Sequence, residues 1–442
     1  MTAPLPGART DPDVVRAFAR DESSLLDAGT PRAVVSPANV AEVREVMRWA
    51  SAERVPVLVR GAGTGLSGGA LAVAGCVVLS TDRLTAVREL DPNDRVAVVE
   101  AGVVNAALNE QARAFGLMWA PDPSSWATST VGGNVSTNAG GLRCLRYGAT
   151  RANVLGLEVV LADGRVLNTG GRTVKRSAGY DLTQLLVGSE GTLAVVTAVV
   201  AKLLPLPPPQ VTALATFGST VDAAAAATAV MRSGCTATLL ELIDAATVAA
   251  VDAFRGTGFG ESVGAVLVAQ VDDVAATAGL LDGVLREHGA VDVMTTADEA
   301  EGRELLDVRR AAYPAMQRIG RVLVEDVAVP VSRLAELIAA AETAAADHGL
   351  LIATVAHAGD GNAHPLLVVP PGADGEQRAW AAADAVFAAA QRLGGTVSGE
   401  HGIGRLKKRW LAQEVGETSL DVQRGLKNVF DPLNILNPGA VL

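Results

Sequence analysis

The stretch Pro56-Val-Leu-Val-Arg60-Gly61-Ala-Gly63-Thr64-Gly65-Leu66-Ser67-Gly68-Gly69 decides how the first half of the chain folds. Pro56 to Arg60 is a short apolar run of strand character, and Gly63 to Gly68 then satisfies the dinucleotide-binding spacing G-x-G-x-x-G. The context excludes that reading. A dinucleotide fingerprint opens a helix, yet the next strand-like run, Cys76 to Ser80, begins eight residues beyond Gly68, which leaves no space for a helical crossover. The loop must instead present its own amides to an anion as a nest of N–H groups, with the Thr64 and Ser67 hydroxyls adding donors.

Two more segments share this texture. Pro121 to Ser125 leads into Thr130-Val-Gly-Gly-Asn-Val-Ser-Thr-Asn-Ala-Gly-Gly141, read as a second loop, and Gly188-Ser-Glu-Gly-Thr192 gives a third. Three such loops suit a long, polar ligand that backbone must touch closely. Around them, Ser36 and Pro37 read as the N-cap and first residue of a helix whose apolar face is Val40, Val43, Val46, Met47 and Ala50. Asn105 to Phe115 reads as a second helix. Strands are expected at Arg95 to Glu100, Leu155 to Leu161 and Leu193 to Val200, with a hairpin turn at Asp163-Gly164. Pro205-Leu-Pro-Pro-Pro209 is a stiff linker. Beyond it, alanine-rich helices at Asp222 to Arg232 and Leu334 to Asp347 flank a strand-like run, Ala265 to Val271, the pattern of an α+β domain. The tail from Phe430 to Gly439 sets turn residues around apolar ones and is expected to dock.

The bulk numbers bound the answer. A chain of 442 residues is too long for one core. A net charge of -11 argues against nucleic acid, while leaving open a pocket that binds a small anion through a few arginines. Cys76, Cys144 and Cys235 are far apart and odd in number, which fits a reducing compartment better than a disulfide framework. Met1 to Thr30 has no apolar core of a signal peptide, and the run Leu193 to Leu206 is too short and interrupted to span a membrane. The expectation is a soluble cytoplasmic protein with no transmembrane segment.

Residues 56 to 69, 121 to 141 and 179 to 197 (GYDLTQLLVGSEGTLAVVT) resemble the FAD-binding domain of the vanillyl-alcohol oxidase and p-cresol methylhydroxylase (PCMH) superfamily. Within it they are similar to the branch of D-lactate, D-2-hydroxyglutarate and glycolate dehydrogenases, and the likeness runs from about Pro31 to Leu442. The resemblance implies an α+β protein with a two-subdomain FAD-binding domain of PCMH type, an α+β substrate cap and a tail returning to the FAD domain. The expected divisions are an N-terminal helical segment 1–30, the FAD domain 31–207, the cap 208–404 and the C-terminal segment 405–442. It also implies that Arg60, Gly61, Gly63, Thr64, Gly65, Leu66, Ser67, Gly68 and Gly69 hold the FAD pyrophosphate. Pro121, Asp122, Thr130, Gly132, Gly133, Asn134, Thr137, Asn138, Gly140, Glu190 and Gly191 would line the rest of the cofactor. No histidine precedes His288, so covalent attachment would fall to Cys144 or Cys76, and non-covalent FAD is expected.

Three of the five histidines fall in two glycine-framed motifs, His357-Ala-Gly-Asp-Gly-Asn-Ala-His364 and Ser398-Gly-Glu-His-Gly402. A glycine turn between two strand ends can aim both imidazoles at one point. With Glu400 the set is His-His-carboxylate, which suits zinc with an open position and is also used by iron and manganese. The resemblance places His357, His364 and Glu400 on the metal and His401 as the base. Asp360 and Asn362 read equally as flavin contacts or as turn residues. In the expected chemistry a cation lowers the pKa of a 2-hydroxy acid's hydroxyl, His401 takes its proton, and hydride passes to flavin N5.

An arginine should clamp the substrate carboxylate, and Arg309 in Val308-Arg309-Arg310 matches the family's substrate segment, with Arg310 left to solvent. Val324 and Leu366 depart from the hydroxyglutarate-type relatives, which carry polar residues there, and this tilts the reading to a monocarboxylate such as lactate, although Arg405 and Lys407 could still supply a charge. Electrons would leave to a quinone, a flavoprotein or a cytochrome, and a homodimer is one candidate assembly, the oligomeric state being left open by the sequence. The competing readings are a flavin-carrying electron-transfer subunit without substrate chemistry and an ether-lipid synthase of the same superfamily.

Overall fold

The computed structural model describes residue 5 and residues 7–260, 262–272 and 277–442. They form two compact units, one of the residues up to Gly141 with Gly148–Leu206 and Glu400–Leu442, the other of Leu142–Tyr147 and Pro207–Gly399. Among the described residues no helix is long and apolar enough to cross a membrane. Residues 1–4 and 6 of the expected N-terminal segment lie outside the described residues; within the rest of it, Pro12–Ala17 is helical.

Among the described residues the first unit carries two larger sheets and a two-stranded antiparallel pair, Leu117–Met118 with Leu204–Pro205. Ala33–Val35, Val77–Ser80 and Val57–Arg60 lie in that spatial order as a parallel three-stranded sheet. Parallel strands are covered on both faces, and Val34, Val77, Val78 and Leu79 are accordingly buried. The helix Val40–Glu53 buries Val43, Val46, Met47 and Ala50 in the same core as Val57 and Leu79. Its start corrects the expectation from Ser36 and Pro37. Asn39 is the N-cap: its side-chain oxygen accepts the Glu42 N–H at 3.0 Å while the Glu42 carboxylate accepts the Ala38 N–H at 2.8 Å. This reciprocal cap serves two otherwise orphaned amides, and Ser36 instead accepts from Arg9.

The second sheet is antiparallel, in the order Val87–Asp91, Val96–Glu100, Val195–Lys202, Val154–Val160, Val166–Gly170. Asp163-Gly164 makes its hairpin turn, with Gly164 at φ +82°. Leu108 from the helix Asn105–Arg113, Trp119, Val135, Leu157 and Val199 fill the core behind it. The segment read as a loop from Thr130 contains a short helix, Val131–Thr137. Thr130 Oγ1 caps it by accepting the Gly133 N–H at 3.1 Å, and burial of Val131 and Val135 offsets the poor helix propensity of its glycines.

The tail docks on this unit. After Lys408–Phe430, two helical stretches that meet at a kink at Gly416 (φ +76°), the Val57 N–H donates to the Ile435 carbonyl at 2.7 Å and the Asn437 N–H donates to the Val57 carbonyl at 2.8 Å. Asp431 accepts from the amides of Ile435 and Leu436 and from Lys427 Nζ, which holds the turn.

The second unit is an eight-stranded antiparallel sheet. Its order is Ala290–Thr296, Gln210–Phe217, Ala265–Asp272, Ala237–Asp244, Ile352–His357, Asn362–Val368 and Val322–Val324, with Val327–Ala328 also pairing to Asn362–Val368. The helices Thr220–Arg232, Thr277–Glu287, Leu334–His348 and Gly375–Arg392 belong to it. Leu142–Tyr147 joins this unit, and Arg146 there pairs with Asp272. Two register pairs matter below: Glu241 stands opposite His357, and Val324 opposite Leu366.

Leu436 is fully buried in the core of Val43, Met47, Val57 and Leu79. Leu436→Ala should therefore cost about 2–5 kcal/mol of stability, read as a lowered denaturant midpoint. A midpoint unchanged from wild type would show that the tail does not complete that core.

Candidate active site

The first unit contains a cavity walled largely by backbone. Gly61, Gly63, Thr64, Gly65, Leu66, Ser67, Gly69, Thr130, Gly132, Gly133, Asn134, Thr137, Gly140, Glu190 and Gly191 line it, joined by Glu400 and His401. Arg60, Gly68, Pro121, Asp122 and Asn138 are not among its wall residues, and Asn362 belongs to the other unit. Wall positions that sequence reading left unassigned include Ala70, Ser129 and Val196.

Among the described residues, no amide from Ala62 to Gly69 donates to a protein acceptor, whereas the Ser67 carbonyl accepts the amides of Arg405 and Leu406. The loop is thus pinned by its carbonyl and leaves its donors for a ligand, the nest expected for an anion. The helix from Val131 behaves differently. Its first amides already donate to Val103, Ala101 and Thr130, so Gly132 and Gly133 supply close approach and no donors. Ser129 Oγ, Asn134 Nδ2 and Arg60 Nη1 are buried without a hydrogen-bond partner. Burial lowers the Arg60 pKa from its ordinary value against the opposing pull of Asp21 and Glu22, so an anionic ligand would relieve its desolvation. Unsatisfied donors beside a glycine-lined cavity fit a long phosphorylated cofactor.

Glu190 holds the wall together. Its backbone is left-handed, φ +52°, and its buried carboxylate accepts the Ile403 and Gly404 amides, both at 2.8 Å. Asn437 Nδ2 donates to the carbonyls of Gly69 and Glu190 at 2.7 and 2.9 Å, and Arg405 donates to Asn437 Oδ1 and to the Pro438 carbonyl. Gly404 is at φ +53°, and a Cβ there would overlap the Ser67 carbonyl. This clasp fixes the segment that carries Glu400 and His401, whose carboxylate Oε1 and ring Nε2 are 3.8 Å apart.

In the second unit His357 and His364 come together from the two strands of one hairpin. Their ring centroids are 5.1 Å apart, edge to face, and each residue is only 6% exposed. His357 Nδ1 donates to Glu241 Oε1 at 2.6 Å, and Arg309 Nε donates to Glu241 Oε2 at 2.8 Å. Asp326 Oδ1 lies 3.8 Å from His364 Nδ1, and the Ser398 hydroxyl donates to Asp326 Oδ2 at 3.0 Å. Glu241 and Asp326 are fully buried. Sequence reading missed both, though each is an acid inside an apolar run, as in Leu239-Leu-Glu241-Leu-Ile243. With Nδ1 turned to a carboxylate, Nε2 is the atom that His357 can offer to a cation, so this donor set fits a divalent metal. Arg310 pairs with Asp307 on an exposed helix face.

Burial pushes the Glu190 pKa up from 4.5 to about 7, against the two amides and Lys407. The folded protein therefore keeps a proton that the unfolded chain has released, and this contribution to stability is full below pH 4.5 and lost as pH rises through about 7. The stability advantage of wild type over Glu190→Gln should shrink across that window in denaturant titrations. A pH-independent difference would contradict the assignment.

Residues 31–170 match the family model described as FAD binding domain, and residues 206–441 match that of FAD linked oxidases, C-terminal domain. The chain is similar to the glycolate oxidase subunit GlcD of Bacillus subtilis, at 38% identity over 93% of this chain and 89% of that one. It is similar to a D-lactate dehydrogenase of Archaeoglobus fulgidus at 37% identity over 96% of this chain and 95% of that one. Among solved structures, p-cresol methylhydroxylase with substrate bound superposes with a TM-score of 0.79 at 18% identity, covering 98% of this chain and 93% of that one. 4-Ethylphenol oxidase from Gulosibacter chungangensis gives 0.76 at 19%, covering 98% and 94%. These two likenesses concern the α+β fold; most of the glycine-lined cavity wall falls within the segment matched as FAD binding domain. The matched models span both halves of the sequence and the relatives align along most of their own length, so the chain belongs to the FAD-linked oxidases.

Proposed function

We propose that this oxidoreductase is an FAD-dependent dehydrogenase that converts a small D-2-hydroxy acid to the 2-oxo acid with the help of a divalent cation. The observation that carries the reading is the buried His357–His364 pair, with His357 held by Glu241, in a chain of this family. Relatives named for glycolate oxidation and D-lactate dehydrogenation support the substrate class. In this reading the first unit seats FAD and the second is the substrate cap, with the cation, zinc before manganese or iron, on His357, His364 and Glu400. Glu400 follows directly on Ser398 and Gly399, and the Ser398 hydroxyl is already tied to Asp326 beside His364.

When bound, FAD supplies a hydride acceptor and the cation a positive charge that favours the alkoxide form of the substrate. His401 takes the hydroxyl proton. Arg309 has its Nε committed to Glu241 and offers its two terminal nitrogens as a fork for the substrate carboxylate. Val324 and Leu366 face each other across paired strands, so neither gives a second carboxylate a partner, which favours a monocarboxylate such as lactate or glycolate. In this reading FAD is held without a covalent bond; of the two candidate thiols, Cys76 is fully buried in an apolar cluster, and that burial raises its thiol pKa. The electrons pass on to a quinone, a flavoprotein or a cytochrome.

Anaerobic mixing with D-lactate, glycolate or D-2-hydroxyglutarate is the direct test, and the first two should bleach the flavin. An FAD-loaded protein that none of them bleaches would favour the electron-carrier reading instead. Roles within the site separate by metal analysis. His364→Ala should lose the cation and activity together, whereas His401→Ala should keep cation and flavin yet lose roughly 100-fold or more in turnover. The reverse pattern would exchange the two roles. Arg309→Lys keeps the charge without the planar fork, so kcat/KM for small acids should fall at least about tenfold with FAD content unchanged. An unaffected kcat/KM would remove Arg309 from substrate binding.

A further inference from the structure

We infer that Glu241 is a positioning residue that couples cation binding to substrate binding, because one carboxylate fixes both His357 and Arg309. The inference rests on the metal reading above. Glu241 sits in Ala237–Asp244, a strand whose residues are all buried, and stands in register opposite His357 on the adjacent strand. The backbone ladder therefore sets the separation, and the 2.6 Å contact to Nδ1 follows from register. Packing alone does not account for the residue. An acid in a wholly buried strand costs stability unless its charge is matched, and Leu240 and Leu242 on either side show what the core otherwise takes.

The protonation pattern follows from donor chemistry. An arginine can only donate, so Glu241 Oε2 is an acceptor. With Oε1 of the same carboxylate against Nδ1, Nε2 is the His357 ring nitrogen that can serve as the ligand atom for the cation. The second consequence lies at Arg309. Its Nε is occupied, which restricts the swing of the guanidinium and favours one presentation of its terminal edge. A substrate carboxylate drawing on Arg309 and a cation drawing on His357 then compete for polarisation of one Glu241, so each changes the affinity of the other, and the effect is reciprocal.

The test measures zinc affinity by chelator competition on the FAD-loaded protein, and KM for D-lactate, in wild type, Glu241→Gln, Glu241→Asp and Asp244→Asn. The Gln amide cannot accept from both partners without turning its NH2 group on one of them. Glu241→Gln should bind zinc about ten- to a hundredfold more weakly and show a raised KM. Glu241→Asp restores the charge and should recover part of the zinc affinity. Asp244, also buried on this strand, caps a helix by accepting the Thr247 amide and accepts the Thr354 amide. Asp244→Asn should lower stability and leave zinc affinity at the wild-type value. Zinc affinity and KM of Glu241→Gln within twofold of wild type would overturn the inference, as would an equal loss of zinc in Asp244→Asn. If Glu241→Gln does not fold, Glu241→Asp decides, and its zinc affinity must lie below wild type. A wild type that binds no divalent ion sinks the metal reading itself, which distinguishes that failure from failure of Glu241 alone.

Discussion

The Glu190 carboxylate, buried and accepting the amides of Ile403 and Gly404, sets the geometry of the cofactor unit. Segments far apart in sequence converge on it. Its own backbone carbonyl takes Asn437, which also takes the Gly69 carbonyl, and the Ser67 carbonyl takes Arg405 and Leu406. Glycine at 402 and 404 is therefore a packing demand as well as a conformational one, since a Cβ at Gly402 would come within 2.8 Å of Glu190 Oε1. The first glycine loop is thus clamped from behind through its carbonyls, and its amides remain unspent. A loop clamped through its amides would be just as rigid and useless to an anion.

The second unit solves a related problem by other means. Its sheet is apolar nearly throughout, yet Glu241, Glu325 and Asp326 are all fully buried in it. Such acids are tolerated where partners meet them, and two of those met here are histidines, at Glu241 with His357 and at Asp326 near His364. The Glu241 carboxylate, in hydrogen-bond contact with Nδ1, limits how the His357 imidazole can turn. The desolvation of these acids is a stability cost that packing elsewhere must offset, and the dense valine and alanine core around Val266, Val268 and Val355 supplies it.

What could be read in the sequence, and what could not, divides along range. The three glycine segments were legible because glycine, serine and threonine report on local backbone demands, and the histidine motifs because histidine is scarce in this chain. The helix Val131–Thr137 was not legible, since its glycines speak against a helix that a Thr130 cap and two buried valines make stable. The cap of Val40–Glu53 went to Ser36 when the pair Asn39 and Glu42 carries it, a pattern with the local signature of a capping box. Glu241 and Asp326 were out of reach for a different reason. Their meaning depends on strand register across more than a hundred residues for Glu241 and His357, which no local pattern encodes.

The same register argument bears on substrate choice. Val324 and Leu366 are remote in sequence but directly opposed, and both pack in the cluster with Met316 and Ala353. A polar change at only one of them would bury an unpaired group against the other, so the apolar pair is self-consistent and a lone lysine there is not. Discrimination between acids with one and two carboxylates then needs no specific reader. Under the proposed function Arg309, already tied to Glu241, would recognise the carboxylate common to both classes. The pair at 324 and 366 offers nothing to the second, and an unpaired buried charge is penalised far more steeply than a missing methylene. In this reading selectivity comes from what the site withholds, and it is set by the pairing of two strands.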